Sequence, residues 1–285
     1  KTGDKQYDYL TGNISSNDTA ASDSAITYAV DASNFGAMYS GKIDIIASKD
    51  GFGVKSESDL HSSVAGLTIT ANGDIALKNA SAATDMNLSS TNNIETNGTI
   101  YSVGNTTLNA GASIDLAAGS LVANNIDAVA ANGIDINGTI YSYGDLALDG
   151  QNISILASGI IAQDTTSLSD LYLTATNDFT NSGNIYGSNN IDLTAANQVS
   201  NSGSIESNQT LNLQGLAFSN SGSLISGADA NLVATNDLSN DGTILSNAAL
   251  NLAANNISNS GAISSDGNVS LNATDSIDLA AGSLV

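Results

Sequence analysis

From residue 94 onward, apolar positions recur on two scales. At short range they come in pairs two residues apart, as in Leu146/Leu148, Ile191/Leu193, Leu211/Leu213, Leu250/Leu252 and Val269/Leu271. That spacing belongs to strands, where alternate side chains take opposite faces. At long range a branched aliphatic stands two residues after a glycine: Ile100, Leu121, Ile140, Ile161, Ile185, Ile205, Leu224, Ile244, Ile263 and Leu284 follow Gly98, Gly119, Gly138, Gly159, Gly183, Gly203, Gly222, Gly242, Gly261 and Gly282. Successive glycines lie 21, 19, 21, 24, 20, 19, 20, 19 and 21 residues apart. A further inward position follows each apolar pair by five or six residues, as at Val199, Phe218, Leu238, Ile257 and Ile277.

A fixed period of this size predicts stacked repeats. Each unit reads as three short strands, joined by turns of Gly, Asn, Asp and Ser, residues that tolerate left-handed backbone or bond to it locally. Units stacked about 4.8 Å apart and paired in parallel predict an all-β chain. The expected fold is a right-handed parallel β-helix, a solenoid with rungs of about 20 residues and an aliphatic bore, its hand taken from the general twist and crossover rules. A leucine-rich-repeat horseshoe has a similar period, and LNLAANNI at 250–257 fits its core motif. Against it, Asn197 lies four residues beyond Leu193, LNLQGLAF has no Asn there, and no segment offers helix formers for a convex side.

Upstream, units trace from Gly36, from near Asp59 and from near Ala80, predicting twelve full units over 36–281 and a thirteenth begun at 282. The rod would be about 58 Å long at about 4.8 Å per rung. The 24-residue unit at 159–182 carries about four extra residues, assigned to QDTTSLSD bulging from a corner. Residues 1–35 read as a lead-in or flanking segment of β character and 36–285 as the repeat shaft. KTGDKQYDYL has no initiator Met or apolar leader, and SIDLAAGSLV stops within a phrase that continues at 122, so the chain reads as a segment of something longer.

The 285 residues include no proline, which suits continuous pairing because proline lacks the ladder donor. Cysteine is absent, excluding disulfides and thiol chemistry. Six lysines stand against 28 acids, for a formal charge of −22, and residues 79–285 hold 18 acids and no Lys or Arg. Nucleic acid and anionic lipid are poor partners for such a surface. No apolar run approaches the roughly 20 residues that span a bilayer, so membrane insertion is not expected.

Candidate chemistry is sparse. His61 is the sole histidine, and any Ser-His-Asp relay would be built on it. It follows the inward Leu60 and reads as a surface residue. A β-helical polysaccharide lyase would call on Arg or Lys, missing after residue 78, and a hydrolase on converging carboxylates such as Asp275 with Asp278 or Asp145 with Asp149. Asp115 and Asp135, on neighbouring units, could offer oxygens to calcium, although no EF-hand or RTX nonapeptide occurs. Asn97-Gly98-Thr99 and Asn137-Gly138-Thr139 are glycosylation sequons in an Asn-rich chain. Tyr39, Tyr101, Tyr141, Tyr143 and Tyr186 read first as strand fillers, for which Tyr is suited, and alternatively as an aromatic stripe for sugar or protein contact. No catalytic, cofactor-binding or metal residue is assigned.

YAVDASNFGAMYSGKIDIIASKDGFGVKS at 28–56 carries Tyr28 to Asp31, Ser33, Gly36, Met38, Tyr39, Lys42, Ile43 and Gly51 to Val54. In this order they resemble the stretch that follows the secretion domain of filamentous-haemagglutinin-type exoproteins, and the NGDIAL, NGTIYS and GSLVANNID units resemble that family's repeat shaft. The resemblance implies a Gram-negative two-partner-secretion substrate, exported unfolded through an outer-membrane transporter and folding at the cell surface. Family members are adhesins or stalks of contact-dependent inhibition proteins. The secretion domain, an Arg-Gly-Asp motif and a toxin-like carboxyl region are not seen in this sequence. The expectation is therefore a non-catalytic secreted shaft for adhesion or display, without cofactors, with a face that binds a glycan or receptor on a host or neighbouring cell as the alternative.

Overall fold

The structure is a computed structural model that describes residues 5–7, 14–16, 27–32 and 36–280. The expected thirteenth unit, with Gly282 and Leu284, lies outside the described residues, as does Ser33. The described strands wind into a parallel β-solenoid of about 12 turns with no helix. Each coil contributes one strand to each of three faces. The first face holds five-residue strands such as Ile43–Ala47, Leu67–Ala71, Leu146–Gly150, Ile191–Ala195 and Leu211–Gly215. The second holds Ile94–Thr96, Ile114–Leu116, Gln198–Asn201 and Ala217–Asn220, and the third Met38–Ser40, Thr99–Ser102, Ser204–Ser207 and Ser223–Ser226. Within the solenoid, described strands pair with those one coil away, as Ile191 with Leu211 and Ile205 with Leu224. Within the expected lead-in segment, Lys5–Tyr7 and Ile14–Ser16 pair antiparallel, and Tyr28–Asp31 pairs in parallel with Gly53–Lys55.

One coil explains the bore. Ile191, Leu193 and Ala195 point inward from the first face, Val199 and Asn201 from the second, Ile205 and Ser207 from the third, and all seven are buried. The four large aliphatics are the positions the sequence pattern selects, and successive coils extend each into a column along the axis. Ile277, in the last described strand of its column, is 46% exposed because no described coil covers it. The extra length at 159–182 forms a loop over 164–170 where the third face turns into the first. Gln163 belongs to the bore rather than to that bulge. It is buried, and its Nε2 donates to the carbonyls of Gly144 and Asp170, closing the base of the loop.

The corner glycines are needed for a different reason than expected. Among the described residues, positive φ occurs at Gly36, Gly51 and Gly119, and at no other residue type. The rest of the glycine corner is held by close approach: a Cβ on Gly203 would lie 2.0 Å from the carbonyl oxygen of Gly183, and one on Gly222 would lie 2.1 Å from that of Gly203. The glycines stack directly, backbone upon backbone, and a side chain has no room.

Polar residues at the corners act through their side chains. Asn181, Asn201, Asn220, Asn240 and Asn259, each two residues before a corner glycine, are buried in the bore. The carboxamide Nδ2 of each of the first four donates to the Oδ1 one coil on, at 2.8, 2.7, 2.7 and 2.6 Å along the column, and that of Asn259 donates to the Gly261 carbonyl. The same column is apolar in earlier coils, where Leu116, Ile136 and Ile155 occupy it. At the next corner an inward serine replaces the amide, and Ser207, Ser226 and Ser246 donate to turn carbonyls of their own and the preceding coil. Ladders of this kind satisfy buried polar groups that would otherwise destabilise the bore.

Candidate functional site

The residues raised as candidate chemistry fall on the outer surface, and the strand register decides which of them meet. Asp145 is a corner residue whose Oδ1 accepts the backbone N–H of Asp170 at 3.0 Å. Asp85, Asn105, Asn125, Asp170, Asn190 and Asp229 play the same role in a single corner column. These acids are thus fastened to backbone donors. Asp149 sits outward in the first face opposite Val129 and Thr174, and Asp275 and Asp278 are exposed in the last described strand. The arrangement does not face either pair across a cleft.

Glu95, Asp115 and Asp135 occupy one outward column of the second face on successive coils. Burial raises the Asp115 carboxyl above its ordinary range, and the neighbouring charges of Glu95 and Asp135 add to that. No group of three or more His, Asp or Glu side chains arranged to hold a metal ion occurs among the described residues.

His61 is half-buried on the third face. Its Nδ1 lies 2.6 Å from the Ser81 Oγ one coil on, and its ring packs against Tyr39 with centroids 5.6 Å apart. This pair is half of a relay. Among the described residues no carboxylate hydrogen-bonds to the other ring nitrogen, and Ser81 sits in a continuous parallel ladder whose amides pair with adjacent coils. An oxyanion would meet no converging N–H donors there.

The tyrosines are the group the register brings together. Tyr39, His61, Ser81, Tyr101, Val122, Tyr141, Ala162 and Tyr186 stand on successive coils in one outward column of the third face. Four of the five tyrosines named from the sequence therefore fill strand positions and also share one column. Tyr143 lies beyond the strand end, and its ring meets that of Tyr141 edge-on at 5.2 Å. Tyr141 also donates its hydroxyl to Asp164 Oδ2 at 2.9 Å, at the root of the 164–170 loop. Burial, and then that carboxylate, hold the Tyr141 phenol above its ordinary pKa. Between the Tyr39/His61 pair and Tyr101 the stripe dips into a depression of about 220 Å³, floored by Ala80 and Ser81 and edged by Asp59, Asn79 and Thr99. Its edge is preset: Asn79 Nδ2 donates to Asp59 Oδ1 at 2.8 Å, and Asn79 Oδ1 accepts the Thr99 N–H at 2.9 Å.

Two features of the molecule escaped the sequence reading. The buried asparagine ladder is signalled by the recurring Asn-x-Gly at 181, 201, 220, 240 and 259, yet a polar residue before a turn reads as exposed. The depression joins residues 20 apart whose outward direction emerges only from the stacking.

Known proteins share this repeat. The haemagglutinin-repeat family model matches residues 165–215 and 208–285. Curated relatives include Toxin CdiA of Yersinia pestis, 34% identical over 106 residues, which are 37% of this chain and 3% of that protein. Another is the tRNA nuclease CdiA-2 of Burkholderia pseudomallei strain 1026b, 35% identical over 75 residues, covering 26% of this chain and 2% of that protein. The chain thus overlaps a few per cent of the length of the relatives it matches. No solved structure matches it. Residues 165–285 thus match the haemagglutinin repeat, and with the CdiA relatives this makes the chain similar to the filamentous-haemagglutinin-type two-partner-secretion proteins.

Proposed function

We propose that this chain is a non-catalytic shaft, a stiff spacer that holds more distal receptor-binding or toxin regions of a secreted exoprotein away from the surface of a Gram-negative cell. One observation carries the reading: among the described residues, parallel pairing runs coil after coil between residues 28 and 279, with a single long loop at 164–170. Uninterrupted pairing leaves few loops to gather groups from different directions, and catalytic sites are mostly built on such loops. We place the toxin and nuclease activities that the relatives' names carry in parts of those proteins beyond the 3% and 2% of their length that this chain matches. The proposed secretion partner is an outer-membrane transporter of the two-partner type. Such a chain crosses unfolded, and with no cysteine and with stability arising between neighbouring coils it can fold progressively as it emerges.

The test is replacement within the parent exoprotein. An unrelated β-helix with the same number of coils should preserve secretion, surface exposure and contact with the target cell, and removing half the coils should shorten reach. Loss of contact with the full-length replacement would refute a purely mechanical role. Turnover of a polysaccharide by the isolated chain would refute the non-catalytic reading.

A further inference from the structure

We propose that the third face binds an extended, neutral, β-linked polysaccharide along its tyrosine column. The proposal goes beyond the shaft reading and is independent of it, since a spacer needs no ligand.

The first support is spacing. Tyr101, Tyr141 and Tyr186 stand on every second coil, with the smaller Val122 and Ala162 between them. At about 4.8 Å per coil, successive rings are about 10 Å apart. In an extended β-linked chain every second sugar turns the same face to one side, and one sugar advances the chain by nearly one coil. Rings on alternate coils therefore meet equivalent faces of alternate sugars. The residues between are smaller than Tyr, and at one end the column borders the depression that begins beside His61 and ends at Tyr101.

The second support is chemistry. Two residues before each Tyr in the stripe runs a parallel outward column that includes Thr99, Ser120 and Thr139, and Asp59 and Asn79 edge the depression. Hydroxyl and amide groups beside aromatic rings suit sugars, whose apolar faces stack while their edges hydrogen-bond. Charge selects within that class. No Lys or Arg occurs from residue 79 on, and the carboxylates of Asp59 and Asp164 flank the stripe, so sulfated, phosphorylated or uronate-rich chains are repelled.

The third support is rigidity. The rings project from a paired sheet, and Tyr141 is held by both its bond to Asp164 and its contact with Tyr143. A preformed surface lowers the entropic cost of binding.

The experiment is calorimetric titration of the chain with neutral β-linked gluco- and manno-oligosaccharides of two to eight sugars, with heparin as the acidic comparison. Expected is binding that strengthens with length, is insensitive to salt, and weakens at least about tenfold in the triple variant Tyr101→Ala/Tyr141→Ala/Tyr186→Ala. Tyr172→Ala, on the first face, should bind like the parent chain. Should the triple variant fail to fold, Ser81→Tyr, which fills the depression with a residue at home in strands, should weaken binding at least about threefold. No binding of any neutral oligosaccharide, unchanged binding in the variant that folds, or salt-sensitive binding of heparin alone overturns the proposal.

Discussion

Consider replacing one rung of the buried asparagine ladder. Asn220 accepts a hydrogen bond from Asn201 at 2.7 Å and donates one to Asn240 at 2.7 Å, and its Nδ2 also reaches the carbonyls of Gly222 at 3.3 Å and Thr243 at 3.2 Å. Leucine has the same branching, and this column already holds Leu116 in an earlier coil. The cost of Asn220→Leu therefore lies in what it strands. The Asn201 amide keeps the carbonyls of Gly203 and Ser223. The Asn240 Oδ1 loses its donor inside the bore. A buried acceptor left unsatisfied costs about 1–3 kcal/mol. Asn201→Leu strands the Asn220 Oδ1 in the same way, at about the same cost.

The double variant separates a ladder from a row of independent contacts. With both residues replaced, Asn240 Oδ1 is again the single stranded acceptor, so the pair should cost about 1–3 kcal/mol rather than the sum of about 2–6. The assay is urea unfolding of the four chains of the cycle, followed by far-ultraviolet circular dichroism because the chain has no Trp, with hydrogen exchange in the 217–240 coils localising the effect. Additive losses would refute the reasoning, since they would mean that each asparagine acts through its own coil alone.

Three further outcomes follow from particular contacts. Gly222→Ala forces a Cβ to 2.1 Å from the Gly203 carbonyl oxygen and should lower unfolding stability by about 1–3 kcal/mol, whereas Gly133→Ala, whose nearest contact would be 3.8 Å away, should stay within about 0.5 kcal/mol; equal effects would contradict the stacked-glycine account. Ile205→Asp buries an unpaired charge in the bore and should melt the adjoining coils, seen as lost exchange protection at 185 and 224, while Glu206→Lys on the exposed face should be mild. Asp115 has a folded-state pKa above its unfolded one, so the folded form holds the extra proton, and this group's effect on stability is unfavourable at neutral pH and fades as pH falls through the raised pKa. Asp115→Asn should accordingly raise the melting temperature at pH 7 and leave it nearly unchanged at pH 3, and a variant that is no more stable at pH 7 would show the acid column to be fully solvated.

The period and the bore were readable without coordinates, because burial of aliphatic groups imposes a local rule that each coil repeats. Ile205 is apolar, follows its glycine by two and has equivalents in every coil, so its inward direction is written in the chain itself. The rest depended on stacking. Tyr39, Tyr101, Tyr141 and Tyr186 are separated by 62, 40 and 45 residues, unequal intervals that align only when coils of 19 to 24 residues are brought into register. Asn220 and Asp145 are both polar corner residues, but one lies inside the bore and the other outside it, and their partners belong to neighbouring coils about 20 residues away in sequence. Local patterning determined which side chains leave water. Which polar groups meet one another was decided only by the tertiary stack, since hydrogen-bond partners and shared surfaces exist between coils and not within any one of them.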